Sequence, residues 1–167
     1  MRGARPARWH AGLPGWTVRL LVCVGLLLVP AGPAAFARDD QPECRLTTPQ
    51  EWRNMRVEWI GPCTGGLAQG AGVAIARPER GPQQNFFGNA VGGRLTEGVF
   101  DLQNGYKPAR FKDGVFVPLD DRNQIIVAFR VAANAARQVS ARYKAAKDLK
   151  AAKEYAETAE RLANQMD

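Results

Sequence analysis

Residues 59–75, WIGPCTGGLAQGAGVAI, decide the fold because dense glycines are followed at once by strand-like alternation. The five glycines are Gly61, Gly65, Gly66, Gly70 and Gly72. Glycine adopts positive φ without steric cost, and it leaves room where a ring or another backbone lies close. A glycine loop for phosphate would need a strand-to-helix junction and a lysine, and this stretch has neither. The pattern therefore favours closely stacked β-hairpins over a ligand site.

Short alternating runs on both sides of this stretch predict further strands. Met55, Val57 and Trp59 share one face, and Val73 and Ile75 follow the glycines. The later runs are Phe100 with Leu102, then Val115 with Val117 and Leu119, beside the turn dipeptides Asn104-Gly105 and Asp113-Gly114. Because such turns join neighbouring strands, we expect an antiparallel β-hairpin meander over residues 38–119.

The composition changes after residue 119, where glycine and proline disappear. Apolar residues then recur at intervals of three and four, and Asp121 followed by Gln124 resembles a capping box. We therefore expect one long amphipathic C-terminal α-helix over residues 120–167, which gives a mainly β fold plus α. The alternation falters between Ala146 and Tyr155. Residues 125–131, IIVAFRV, have a strand-like composition, so helix and strand both stay open there.

Residues 1–37 are predicted to be a secretory signal peptide. A basic start precedes an apolar run over residues 18–29, and Ala35-Phe36-Ala37 supplies small residues at −3 and −1 for cleavage after Ala37. The apolar run is shorter than the roughly 20 residues that span a bilayer, and an uncleaved anchor is the alternative. We expect an exported bacterial protein in the periplasm or at the cell surface.

Export would leave a chain of modest charge. Four of the 23 Lys and Arg residues lie in the signal, so 19 remain against 16 acids and the net charge is +3. Neither this charge nor export favours nucleic-acid binding. The one histidine, His10, also lies in the signal. Histidine is the commonest general base and metal ligand, so we expect no metal, no cofactor and no histidine-based catalysis.

Cys44 and Cys63 remain after the predicted cleavage. An even pair of cysteines in an exported chain predicts a disulfide bond, which would stabilise the fold by about 3 kcal/mol. Two buried free thiols are the alternative. Zinc is less favoured, because two thiolates without histidine fill only half of a tetrahedral shell.

The glycine spacing also resembles a known repeat family. The pattern Trp59-x-Gly61-x4-Gly66-x3-Gly70-x-Gly72 is similar to the MORN repeat (membrane occupation and recognition nexus), whose pattern is aromatic-x-Gly-x4-Gly-x3-Gly-x-Gly. In a degenerate second copy, Phe86-Phe87-Gly88 aligns with Trp59-Ile60-Gly61, and Gly93 aligns with Gly66. The repeat positions of this copy therefore include Phe87, Gly88 and Gly93. Glu97 and Val99 replace the last two glycines of that copy.

The resemblance implies a β-hairpin in each repeat and a non-enzymatic binding or scaffold protein, with roles in protein assembly or at membrane surfaces. A partner would bind the repeat face or the predicted helix, which is the better candidate because it carries a basic stretch of Arg142, Lys144, Lys147 and Lys150. These residues would meet anionic lipid or another, acidic protein. In the alternative interpretation, the apolar stripe of the helix packs on the sheet and the lysines are a solvated face.

Two other hypotheses remain open. A homo-oligomer could form through a helical seam of Phe129, Val139, Tyr143, Tyr155, Leu162 and Met166. A cell-wall hydrolase would need two carboxylates, for which Glu97 and Asp101 are the nearest candidates. A spacing of four residues on one strand places them about 13 Å apart, and both also fit solvated acids beside turns.

Overall fold

Residues 44–166 are described by the structure, a computed structural model of the chain. The strands are β1 (Arg56–Ile60), β2 (Cys63–Thr64), β3 (Leu67–Ala68), β4 (Gly70–Arg77), β5 (Gln84–Val91), β6 (Arg94–Leu102), β7 (Gly105–Lys112) and β8 (Val115–Val117). The helices are α1 (Arg122–Ala145) and α2 (Leu149–Ala163), with 3-10 turns at Gln50–Trp52 and Asn164–Met166. The predicted signal peptide and its cleavage after Ala37 lie outside the described residues.

Six of these strands form one antiparallel sheet in the order β1-β4-β5-β6-β7-β8. The remaining two, β2 and β3, form a small separate hairpin between β1 and β4. The predicted fold class is therefore confirmed: an antiparallel β meander is followed by a long C-terminal helix, α1, after which comes the shorter α2.

Three hairpins turn on two residues that both have positive φ. The pairs are Gly65-Gly66, Gly92-Gly93 and Asp113-Gly114, with φ between 52° and 82°. Such turns twist in the same sense as the strands that they join. The predicted Asn104-Gly105 turn is wrong by one residue, because Gly105 already pairs with Leu102 and the chain reverses at Gln103 and Asn104.

One face of the sheet, the helix face, packs against the helices. Val73, Ile75, Phe87 and Val99 are buried there. The α1 residues buried in the same core are mostly alanines: Ala128, Phe129, Ala132, Ala133, Ala136 and Val139. Small side chains let a helix lie close to a sheet that carries large ones, and each buried Val, Ile or Phe contributes about 1.5–3 kcal/mol. The apolar stripe of the helix thus packs on the sheet of its own chain.

The residues of the hypothesised oligomer seam belong to this same core. Phe129, Val139 and Leu162 are buried in it, and Tyr143, Tyr155 and Met166 pack against it. The seam is therefore already filled by contacts within one chain.

The opposite face of the sheet is covered by residues 44–55, which we call the N-terminal strap. Thr47 N–H donates to the Gly93 carbonyl at 2.6 Å. Further along, Trp52 is buried and its Nε1–H donates to Gln84 Oε1 at 2.8 Å. The strap closes a second core that contains Trp52, Trp59, Phe86, Leu95 and Phe111. The sheet is consequently buried on both faces.

The prediction of one continuous helix over residues 120–167 is wrong, because the chain reverses at Ala146, Lys147 and Asp148. Lys147 has a φ of +62°, its N–H donates to the Lys144 carbonyl, and Asp148 N–H donates to the Tyr143 carbonyl at 2.9 Å. This is the Schellman arrangement that ends many helices, here without its usual glycine. The Asp148 carboxylate then caps α2 by accepting from Ala151 N–H at 3.0 Å.

After this reversal, α2 packs back against α1 as a helical hairpin. Ser140 Oγ donates to the Ala152 carbonyl at 2.6 Å, and the rings of Tyr143 and Tyr155 stack with centroids 5.5 Å apart. The start of α1 agrees with its predicted cap, since Asp121 accepts from Gln124 N–H at 3.1 Å. Residues 125–131 are helical, which resolves the ambiguity of that segment.

Candidate functional site

The glycines of the first repeat unit divide into two structural roles. Gly66 and Gly70 have φ of 73° and 74°, which side chains rarely adopt. Gly61 and Gly72 instead lie against the Trp59 indole, where an added Cβ would stand 2.5 Å and 2.6 Å from ring atoms. The ring is buried and its Nε1–H donates to the Pro62 carbonyl at 3.0 Å. These residues therefore build the sheet.

The second unit repeats this arrangement with Phe86 as its ring. A Cβ on Gly88 or Gly98 would stand within 2.7 Å of Phe86 ring atoms, and Gly93 occupies the second position of a two-residue turn, as Gly66 does. Phe87 points to the opposite face, where its ring meets Tyr155 edge-on. Phe86, which the glycine spacing aligns with Trp59, thus has contacts equivalent to those of Trp59, whereas Phe87 lies in the core on the helix face.

The predicted cysteine pair lies at disulfide distance. The Cα atoms of Cys44 and Cys63 are 5.8 Å apart. Cys44 begins the described part of the strap, and Cys63 begins β2. The start of the described strap therefore lies next to the small β2–β3 hairpin.

The two carboxylates of the hydrolase hypothesis have different surroundings. Glu97 pairs with Arg110 at 2.5 Å, and Arg110 also reaches Gln124 of α1 at 3.4 Å. Burial raises the pKa of the Asp101 carboxyl, against the opposing effect of Arg161. Glu97 thus links β6 through Arg110 to the start of α1, which is a structural contact.

The predicted partner contacts lie together at one end of the helical hairpin. We call residues 141–150 the helical tip; they comprise the last turn of α1, the reversal and the first residues of α2. Arg142, Lys144, Lys147 and Lys150 are all exposed there. The described chain forms three ion pairs, and none of them uses these four cations. Asp148 is the one acidic residue of the tip, so its net charge is +3.

Apart from Tyr143, which packs against the core on the helix face, the tip lies outside the hydrophobic cores. No residue from 140 to 151 is buried, and Leu149 is 68% exposed. Ala141, Ala145 and Ala146 are exposed as well. An exposed leucine beside Lys147 and Lys150 has no evident role in folding the monomer.

The charges of the tip agree only partly with the helix dipoles. Arg142 and Lys144 stand in the last turn of α1, where cations are favourable. Lys150 stands in the first turn of α2, which has no acidic residue and where a cation is unfavourable. Helix stability alone therefore does not account for this cluster.

The base of the tip is held firmly. Tyr155 stacks on Tyr143 and meets Phe87 of β5 edge-on, with centroids 6.3 Å apart. Burial, together with Tyr143 and Glu58, raises the pKa of Tyr155 to about 12. These aromatic contacts therefore fix the base of the tip to β5.

An aromatic cleft of about 120 Å³ was not predicted from the sequence. Its lining comes from four parts of the chain: Glu51, Trp52, Gln84, Phe100, Leu102, Lys107, Phe111 and Phe116. Trp52 already donates to Gln84, and Lys107 Nζ lies 4.9 Å above the Phe116 ring. The cleft is thus the open margin of the second core. Phe100, Phe111 and Phe116 lie on three successive strands, and the pairing of β6, β7 and β8 brings them together.

Comparison of the chain with protein-family models, with curated proteins and with solved structures gave no match. Within residues 44–166, no helix has both the length and the apolar character to cross a bilayer.

Proposed function

We propose that this chain is a non-enzymatic exported binding protein, built on MORN-like hairpins, that contacts a polyanionic partner surface through its helical tip. The single observation that carries this proposal is the cluster of four exposed cations at residues 142–150, none of which joins an ion pair of the described chain. Each cation near an anionic membrane surface contributes about 1 kcal/mol to the binding free energy, so four cations are sufficient for salt-sensitive binding.

The rest of the structure serves as a support for this surface. Two cores hold the sheet, and the four cations of the tip belong to neither core. We also propose that Cys44 and Cys63 form a disulfide bond after export, because an oxidising compartment would maintain it.

The test uses the chain from residue 38 onward, which is the predicted mature chain and contains every described residue of both cores. Binding is measured to two probes, vesicles that contain phosphatidylglycerol and soluble polyglutamate, at low and high salt. In the tip variant, Lys144, Lys147 and Lys150 are replaced by Gln. In the matched control, Gln replaces three cations that are also exposed but lie outside the tip: Arg53, Arg80 and Lys112.

We expect the unmodified chain and the control to bind at least one probe at low salt, and the tip variant to bind it at least about a hundredfold more weakly. Equal binding by all three proteins, or no binding to either probe, contradicts the proposal.

A further inference from the structure

We propose that the partner surface is an anionic lipid bilayer, which the helical tip enters end-on with Leu149 in the boundary between headgroups and acyl chains. This inference rests on the proposed function, because it names the surface that the same four cations contact.

Leu149 differs from the other exposed large apolar residues in its surroundings. Val91, Val115, Val127 and Leu149 are the large apolar side chains that are more than a third exposed in residues 44–166. Of these, Leu149 alone lies in the cationic tip, two residues after Lys147 and next to Lys150. It is also the most exposed of the four, at 68%.

The position of Leu149 favours insertion from the end of the hairpin. It is the first residue of α2, immediately after the reversal at residues 146–148. The alanines around it present no polar side chain, and the carboxylate of Asp148 is engaged with Ala151 N–H. Leu149 can therefore approach a bilayer while the Asp148 carboxylate keeps its hydrogen bond to Ala151 N–H.

A bilayer surface matches this combination of groups better than an acidic protein does. Lipid phosphates lie directly above hydrocarbon, and long lysine side chains can reach the phosphates while an apolar neighbour goes deeper. An acidic protein surface would satisfy the cations but would leave the leucine without an apolar partner. Charge and exposed apolar surface together thus point to lipid.

The first experiment measures the depth of residue 149. Leu149→Trp is mixed with vesicles of phosphatidylglycerol and phosphatidylcholine, with and without brominated acyl chains. We expect a blue-shifted emission and strong quenching by bromine. The native Trp52 and Trp59 are buried and give a constant background. Val115→Trp, at a residue that is 67% exposed on the β7–β8 hairpin, is the matched control and should show neither change.

The second experiment measures the contribution of the leucine to binding. Leu149→Asn should bind these vesicles about tenfold more weakly, because it removes one leucine from the apolar part of the interface, whereas Val115→Asn should bind as the unmodified chain does. Because both side chains are exposed, far-UV circular dichroism should show that each variant folds.

The outcomes separate the two proposals. In one outcome, vesicle binding needs the tip lysines, but the tryptophan of Leu149→Trp is not quenched and Leu149→Asn binds as the unmodified chain does. This result overturns the insertion of Leu149 and leaves the proposed function standing. Binding to polyglutamate without binding to vesicles overturns the lipid partner. Absence of binding to both probes overturns the proposed function itself.

Discussion

Replacement of Gly61 by alanine tests whether the motif glycines are present to accommodate the Trp59 ring. Gly61 does not have a positive φ, so alanine is compatible with its backbone. The three atoms nearest to an added Cβ belong to the indole: Cε2 and Nε1 at 2.5 Å and Cζ2 at 2.7 Å. We therefore expect the main cost of the substitution to come from the collision with this ring.

The expected cost is large because the ring cannot move aside easily. Trp59 is 8% exposed and its Nε1–H is bonded to the Pro62 carbonyl. Overpacking of a filled core costs about 1–3 kcal/mol, and we expect Gly61→Ala to lie near the upper end of that range. In a Trp59→Leu background the collision disappears, and alanine should then be neutral or stabilising by up to about 1 kcal/mol. The coupling between the two substitutions is thus about 3 kcal/mol on the same overpacking scale.

Urea unfolding of the four proteins in this cycle, followed by circular dichroism, measures the coupling. Gly65→Ala is the matched control, because Gly65 has a φ of +59° and no atom within 4 Å of an added Cβ. It should cost about 1–2 kcal/mol for the left-handed backbone, equally in both backgrounds. A Gly61→Ala protein as stable as the original, or one equally destabilised in both backgrounds, would refute the packing argument.

Three further predictions concern other parts of the structure. Lys147→Gly should raise the free energy of unfolding in urea by about 1 kcal/mol because glycine relieves the φ of +62°, and an unchanged midpoint would contradict this. Tyr155 favours its protonated form in the folded chain, with a pKa raised from 10.0 to about 12. The contribution of this protonated phenol to the free energy of unfolding is therefore complete below about pH 10 and is lost between about pH 10 and 12. Tyr155→Phe should lack this loss when unfolding is compared at about pH 9 and pH 11, and equal pH dependence of the two proteins would count against the buried phenol. Replacement of both Cys44 and Cys63 by alanine should lower the free energy of unfolding by about 3 kcal/mol. Thiol titration of the unreduced chain from residue 38 should find no free thiol, and two reactive thiols would exclude the disulfide bond.

The sequence was sufficient for features that depend on neighbouring residues. The Asp113-Gly114 turn, the cap of α1 by Asp121 and the alternating strands are all local, and the structure contains each of them. The glycine spacing also identified Trp59 as the aromatic residue of the first unit. The same spacing aligned Phe86 with Trp59 in the second unit, and β5 places Phe86 and Phe87 in different cores.

Features that depend on distant contacts or on an unusual backbone were missed. Lys147 adopts the left-handed conformation in which glycine is expected, so no residue type marked the end of α1. The faltering alternation after Ala146 was the available signal. The strap was missed because it is largely irregular, and Trp52 gains its place from Gln84 and Phe100 far along the chain. The candidate cations were identified from the sequence. Their position at the end of a helical hairpin could not be predicted, because it depends on the chain reversal between α1 and α2.

The position of the N-terminal strap has a consequence for the order of folding. Its contacts with Gln84, Gly93 and Phe100 involve residues that a ribosome or a translocon delivers some 30–50 residues later. Arg45 can pair early with the β2–β3 hairpin, but the part of the strap around Trp52 cannot dock until β6 has emerged, whereas the helical hairpin closes on sequence neighbours. During that interval the aromatic side of the nascent sheet stays open to solvent, so it is the surface on which a chaperone would act.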